Sequence, residues 1–407
     1  MTSFARRDFI KGGALALGAT LMASGVSFAR TGADTKSRFV FVILRGALDG
    51  LAAVPPYGDR DYSALRRDIA LAVPGSPGGA LPLNDLFGLH PSLRFLQEAF
   101  TARELVVFQA IASPYRERSH FDGQDVLENG NVRPHAVQTG WLNRALALMP
   151  PGRTAQTERG VALGQNIPLV MRGAAAVTSW SPSKLAALDD DTLQRITDLY
   201  ASDPLLAKRL ADAQAADAIA GSDQVMANDA SAGKSGARYV EVVNAAAGFL
   251  RREDGPQVAV FDTTGWDTHA NEGSAEGQLA GRLAALDTGL RTLKEQLGPI
   301  WNDTAILLAT EFGRTAAVNG TRGTDHGTGA AAFLVGGAVR GGRVMADWPG
   351  LSSRALYQGR DLQPTLDLRS VLKGVLEEHL LVPSRELDVS VFPDSAGAKR
   401  VSGLIHT

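Results

Sequence analysis

Cysteine is absent from the 407 residues, which excludes disulfides, thiolate zinc sites, iron–sulfur clusters and cysteine nucleophiles together. Any metal this chain holds must be taken by imidazole and carboxylate. An excess of either charge is missing as well, because 41 Lys and Arg face 43 Asp and Glu for a formal charge of −2. No overall positive field is available to hold nucleic acid or an anionic membrane, so neither is expected as a partner. Beyond residue 28 no run approaches ~18 consecutive apolar residues, so no transmembrane segment is expected in the mature chain. A G-x-S-x-G nucleophile elbow and an H-E-x-x-H helix are also lacking, which removes the α/β-hydrolase and zincin signatures. Two imitations can be set aside. Gly233-Lys234-Ser235 has the tail of a phosphate loop but Asn228 where its first glycine belongs, and Gly327-Thr328-Gly329 enters an apolar run instead of leaving a strand for a helix.

What is present begins with an address. Arg6-Arg7-Asp8-Phe9-Ile10-Lys11, the apolar run Ala14 to Phe28 and a small-residue cleavage signal at Ala29 form an export peptide over residues 1–29. The paired arginines with Phe9 and Lys11 match a twin-arginine (Tat) signal, used by proteins that fold before crossing the membrane, with an ordinary Sec signal as the plainer alternative. The Tat translocase is then the expected partner during export, and a periplasmic or extracellular location follows.

In the mature part, 30–407, short apolar runs recur at Phe39–Leu44, Leu105–Ile111, Val258–Phe261, Ala305–Ala309 and Ala331–Val335. Runs without polar alternation suggest strands covered on both faces, as in a parallel sheet between helix layers. Between them, Leu279, Leu283, Leu286, Leu290, Leu293 and Leu297 follow a 4-3-4-3-4 spacing, which predicts a helix over Glu276–Leu297 packed on the sheet. The segment near 150–240 is rich in Ala, Asp and Ser and suggests a helical cap or insertion. One α/β domain of three layers is therefore expected.

Carboxylates and histidines fall where these strands should end. Asp49 follows the first run, Asp262, Asp267 and His269 follow the third, Glu311 the fourth, and Asp325-His326 precedes the fifth. Open parallel sheets bind ligands at the carboxyl ends of their strands, so these residues are expected on one face. Hard carboxylates with imidazoles suit a divalent ion, whether zinc, manganese, magnesium or calcium. Each residue has a plainer alternative: Asp49-Gly50 as a turn, Asp267-x-His269 as a helix cap, Glu311 as a partner for Arg314. Ser119, at an expected helix start, is the candidate catalytic nucleophile, with Arg116 and Arg118 as candidate substrate-binding groups for phosphate or sulfate. Its alternative is a capping role with Asp122 three residues on. His120 is expected to point elsewhere, and His90, His135, His379 and His406 to serve packing or surface.

The segments Leu44-Arg45-Gly46-Ala47-Leu48-Asp49-Gly50-Leu51, Ser119-His120-Phe121-Asp122-Gly123-Gln124-Asp125, Gly265-Trp266-Asp267-Thr268-His269, Glu311-Phe312-Gly313-Arg314-Thr315 and Thr324-Asp325-His326-Gly327 resemble those of the DUF1501 family. That family is in turn similar to the alkaline phosphatase and sulfatase superfamily. The resemblance implies an alkaline phosphatase-like three-layer sandwich and the order Asp49, Ser119, Asp267/His269, Glu311, His326 for nucleophile and metal ligands. Glu311-Phe312 stands where superfamily members carry Asp-His, unless Asp325-His326 replaces that pair. The expected function is an exported metal-dependent hydrolase of phosphate or sulfate esters, taking an anionic small-molecule or glycan ester. The competing class is a non-catalytic exported protein that keeps the fold and at most one structural ion.

Overall fold

The computed structural model describes residues 36–150, 158–182, 190–200, 202–221 and 234–406. The twin-arginine segment, Gly233 of the phosphate-loop imitation and most of the polar run 221–236 lie outside the described residues.

Strand β1 (Arg38–Arg45) carries the logic of the fold. Phe39, Phe41 and Ile43 enter one apolar core while Val40, Val42 and Leu44 enter another, so both faces are buried and no polar alternation survives. The other strands are β2 (Leu81–Pro82), β3 (Gly88–Leu89), β4 (Leu105–Ala112), β5 (Gly160–Leu163), β6 (Val177–Trp180), β7 (Val258–Thr264), β8 (Thr304–Ala309), β9 (Ala330–Val335), β10 (Arg343–Met345) and β11 (Leu366–Asp367). Strands β2 and β3 form a small antiparallel pair, and the remaining nine form one sheet in the order β10-β4-β9-β8-β1-β7-β5-β6, with β11 beside the end of β4. All five apolar runs are strands of this sheet.

Every pairing in the large sheet is parallel except those of β9, which runs antiparallel between β4 and β8. That reversal matters for function. It brings the start of β9, and the Asp325-His326 loop before it, to the edge where β1, β4, β7 and β8 end.

Helices cover both faces. Residues from Arg94–Thr101, Lys234–Arg251 and Gln278–Leu297 fill one core, and residues from Trp141–Leu148 and Leu368–Glu378 fill the other, which makes three layers. All six leucines of the predicted stripe are buried in the first core. Each contributes roughly 1.5–3 kcal/mol of burial. On the opposite face, Trp141 is fully buried between the rings of Phe41 and Phe392, with centroids at 5.2 and 5.5 Å, and its indole N–H donates to the Leu127 carbonyl at 3.0 Å.

The segment expected to be a helical cap is more mixed. Helices Asp190–Tyr200 and Pro204–Gly221 occur there, but β5 and β6 from the same segment join the central sheet beside β7. Runs of four residues in an Ala-rich background are too short to register as strands by pattern alone. Among the described residues no helix is long and apolar enough to cross a membrane.

Candidate metal centre

The strand ends are brought together by close backbone crossings. Gly46, the first residue after β1, has φ +117°, and a Cβ there would come within 2.8 Å of the Asp267 amide nitrogen; only glycine fits. Its amide donates to Glu311 Oε1 at 2.8 Å, tying the end of β1 to the end of β8. Gly323 packs as tightly, with its Cβ position 2.4 Å from the His269 carbonyl carbon. The loops carrying Asp267, His269, Glu311 and His326 are thus held against one another by main chain.

Between these loops and the start of the helix His120–Asn129 four side chains converge. His120 Nε2 lies 2.9 Å from His326 Nε2, and His269 Nε2 lies 3.0 Å from the same atom. Asp267 Oδ1 is 3.2 Å from His326 Nε2 and 3.1 Å from His269 Nε2, while its Oδ2 is 3.4 Å from His120 Nε2. Donor atoms of His120, Asp267 and His326 all lie within 4.8 Å of one another.

The opposite nitrogens of the three rings decide what this cluster can do. His120 Nδ1 faces Glu311 Oε1 at 2.8 Å, His326 Nδ1 faces the Arg118 carbonyl at 3.0 Å, and His269 Nδ1 faces Asp325 Oδ1 at 3.3 Å. Acceptors at every Nδ1 place the ring proton there, so each neutral imidazole turns an Nε2 lone pair toward the others. Lone pairs at such distances, beside a carboxylate, repel unless a cation lies between them. A proton shared by two rings would do this, and so would a divalent ion. A carboxylate or carbonyl behind each ligating ring is the arrangement in which protein metal sites fix histidine tautomers. The residues fit a divalent cation.

Charge around the cluster is ordered accordingly. The hydrogen bond that His120 donates to Glu311 raises the His120 pKa against the opposing effect of burial. Burial, with the nearby charge on His120, lowers that of His326. Burial alone would raise Asp267, but the hydrogen bond and charge of Arg314 overturn this and hold it below the usual carboxylate range. Arg314 is itself fully enclosed, with its side chain also on Thr324.

Of the residues expected at the site, Asp267, His269 and His326 come together. Glu311 and Asp325 stand behind the rings of His120 and His269. Glu311 is buried, and its Oε1 already accepts from Gly46 N, Gln124 Nε2 and His120 Nδ1, while Oε2 lies 2.9 Å from Thr310 Oγ1, whose one proton is also within reach of the Leu44 carbonyl. Asp49 is elsewhere in the network: Oδ1 caps the helix Gly50–Ala53 through Leu51 N and Ala52 N, and Oδ2 pairs with the buried Arg66. Arg116 donates to the Ser113 and Tyr115 carbonyls, and Arg118 to Asp361 and Gln358. An anion-binding role for these two guanidiniums has no geometric support here. Ser119 precedes the helix His120–Asn129 but makes no side-chain cap bond; its amide donates to Tyr115 Oη at 3.1 Å.

Other expectations are corrected. His120 does not point elsewhere; it is central, its ring turned into the cluster by Glu311, which no local pattern around Ser119-His120-Phe121-Asp122 reveals. Asp267 caps no helix, since the next one starts at Gln278 behind Gly277. Arg314 pairs with Asp267, leaving Glu311 to His120. Gln124, another residue that pattern did not single out, links Glu311 to Arg45 at 3.1 and 2.9 Å. Glu311→Gln should keep the fold and weaken divalent-metal affinity by roughly 10–100-fold, measured by competition with a chromophoric chelator; unchanged affinity would detach Glu311 from the centre.

No curated protein matches the chain. Among solved structures, it is similar to Ps i-CgsB in complex with k-i-k-neocarrahexaose, at 12% identity over 89% of this chain and 77% of that one, with a TM-score of 0.40. It is similar to the phosphonate monoester hydrolase of Agrobacterium radiobacter at 10% identity, over 76% and 70% of the two chains, with a TM-score of 0.34. A third is BT1596, a 2-O GAG sulfatase, at 11% identity over 91% and 76%, with a TM-score of 0.35. At these values the likenesses carry no argument about activity. The family described as "Protein of unknown function (DUF1501)" matches residues 109–388, more than half of the chain and a span that holds all four clustered side chains, and the protein therefore belongs to the DUF1501 family.

Proposed function

We propose that the protein is an exported, metal-dependent hydrolase of phosphate or sulfate esters. One observation carries the proposal: three Nε2 lone pairs and the Asp267 carboxylate converge, with every Nδ1 held by an acceptor. A divalent ion, when bound, supplies Lewis-acid polarisation of an ester oxygen. The chain's own residues do the rest. Glu311 and the Arg118 carbonyl fix the tautomers of His120 and His326, and Arg314 fixes the carboxylate of Asp267. Ser119 stands between Arg118, whose carbonyl holds His326, and His120, whose ring joins the cluster. We assign its hydroxyl the nucleophilic role, in a net reaction of ester plus water giving alcohol plus phosphate or sulfate. Export rests on the twin arginines Arg6-Arg7.

Metal-loaded protein should turn over members of a panel of phosphate and sulfate monoesters and lose that turnover to chelation. Ser119→Ala should abolish turnover while costing less than about 1 kcal/mol, because no cap bond is lost. Turnover that survives in Ser119→Ala would remove the nucleophile, and a panel without any turnover by metal-loaded protein would favour a non-catalytic binding protein.

A further inference from the structure

Arg118, whose carbonyl holds the His326 ring, stands with φ +62°. This left-handed conformation is sparsely populated away from glycine and is kept only where the surroundings over-determine it. What holds Arg118 comes from 243 residues along the chain. Asp361 Oδ2 accepts from Arg118 Nε at 2.8 Å and lies 2.7 Å from Nη2, and Gln358 Oε1 accepts from Nη2 at 2.7 Å. Asp361 is fully buried, and its other oxygen has only the Arg360 guanidinium at 3.2 Å, without a hydrogen bond. Among the described residues, Arg118 is thus the one hydrogen-bond donor to this carboxylate. Main chain stitches the same segment to the His326 loop. Tyr357 and Asp361 exchange two backbone hydrogen bonds, Asp361 pairs with Thr315 in an antiparallel bridge, and the Thr315 amide donates to the Asp325 carbonyl at 2.9 Å. His326 follows, and its Nδ1 returns to the Arg118 carbonyl at 3.0 Å. The contacts close a ring through Asp361, Arg118, His326, Asp325 and Thr315.

We infer that Asp361 is a positioning residue for the centre: acting through the Arg118 side chain, it aims the Arg118 carbonyl at His326 Nδ1 and so fixes where His326 Nε2 points. The inference rests on the metal reading above. A carbonyl has no side chain of its own to steer it, so its direction is set by the backbone of its residue, and here that backbone is pinned in an unfavourable region by the hold on the guanidinium. The planar guanidinium gives Asp361 two neighbouring nitrogens at 2.8 and 2.7 Å, which fixes an orientation where a single ammonium would fix only a distance. A buried ion pair adds little net stability against an apolar replacement, so its use here is registry: it sets one loop against another. His120 lies two residues beyond Arg118, and the same hold therefore sets the start of the helix that delivers its ring, 2.9 Å from His326 Nε2.

The test uses the full chain with Asp361→Asn, which keeps the shape and an acceptor without the charge, and with Arg118→Lys, which keeps the charge without the fork. Histidine-selective nitrogen-15 magnetic resonance of the metal-free proteins at about pH 9, above the ordinary imidazole range, reads the tautomer of His326, identified by the signal that His326→Gln removes. Wild type should carry the proton on Nδ1, and both variants should move His326 to a mixture of tautomers. Zinc affinity, from competition with a chelator, should fall roughly 10–100-fold in each. The double variant should lose no more than the weaker-binding single variant, because the two residues act as one unit. A lowered melting temperature with tautomer and affinity as in wild type would overturn the inference and leave a merely structural pair, with the metal reading standing. Losses that add in the double variant would overturn it as well. Should Asp361→Asn not fold, Arg118→Lys carries the same two readouts. Folded wild type that takes up no zinc overturns the metal reading and this inference with it.

Discussion

Asp267→Ala should leave the protein folded and unable to retain a divalent ion. The side chain is about two-fifths exposed, so truncation opens no cavity, but it removes the one carboxylate that touches all three imidazoles. It also strands the buried Arg314 guanidinium, which pairs with Asp267 and would be left as an uncompensated charge beside the site. Loss of a ligand and gain of a repelling cation act in the same direction. Affinity should therefore fall by more than the ~10–100-fold that accompanies loss of an outer partner. Competition against a chelator of known strength measures this. Metal affinity equal to wild type would exclude Asp267 from the centre.

Trp141→Ala should produce the opposite pattern, a large loss of stability with the metal affinity of the surviving folded protein unchanged. Trp141 fills the core between β1 and Phe392 and satisfies the Leu127 carbonyl. Its truncation leaves a cavity in a close-packed layer and an unpaired buried acceptor, and should cost roughly 3–5 kcal/mol. Chemical denaturation gives the first quantity and chelator competition the second. A loss under about 1 kcal/mol would mean that this layer collapses around the gap and is not the rigid support described here.

The two variants separate what could be read in the sequence from what could not. The sheet was legible because β1, β4, β7, β8 and β9 are buried on both faces, and continuous apolar runs are the direct consequence of that burial. The leucine stripe of Gln278–Leu297 was legible for the same reason at helical spacing. Strands β5 and β6 were not, because four-residue runs carry too little period to stand out. At the site, Asp267, His269 and His326 followed from their place at strand ends, and His326 reaches that edge only because β9 is antiparallel. His120 was missed because a helix-start position says nothing about which way a ring turns; that direction is set by Glu311, 191 residues away. Asp49 looked like a ligand because chain order could not reveal that Arg66, 17 residues on, already holds it.

X-ray absorption spectroscopy of the zinc-loaded full chain tests the central claim most directly, because it reports the atoms around the ion. The account predicts a first shell of nitrogen and oxygen at about 2.0–2.1 Å with scattering from at least two imidazoles, diminished when His326 is replaced by alanine. A folded protein that takes up no zinc, or one whose ion is surrounded by oxygen without imidazole, would contradict it.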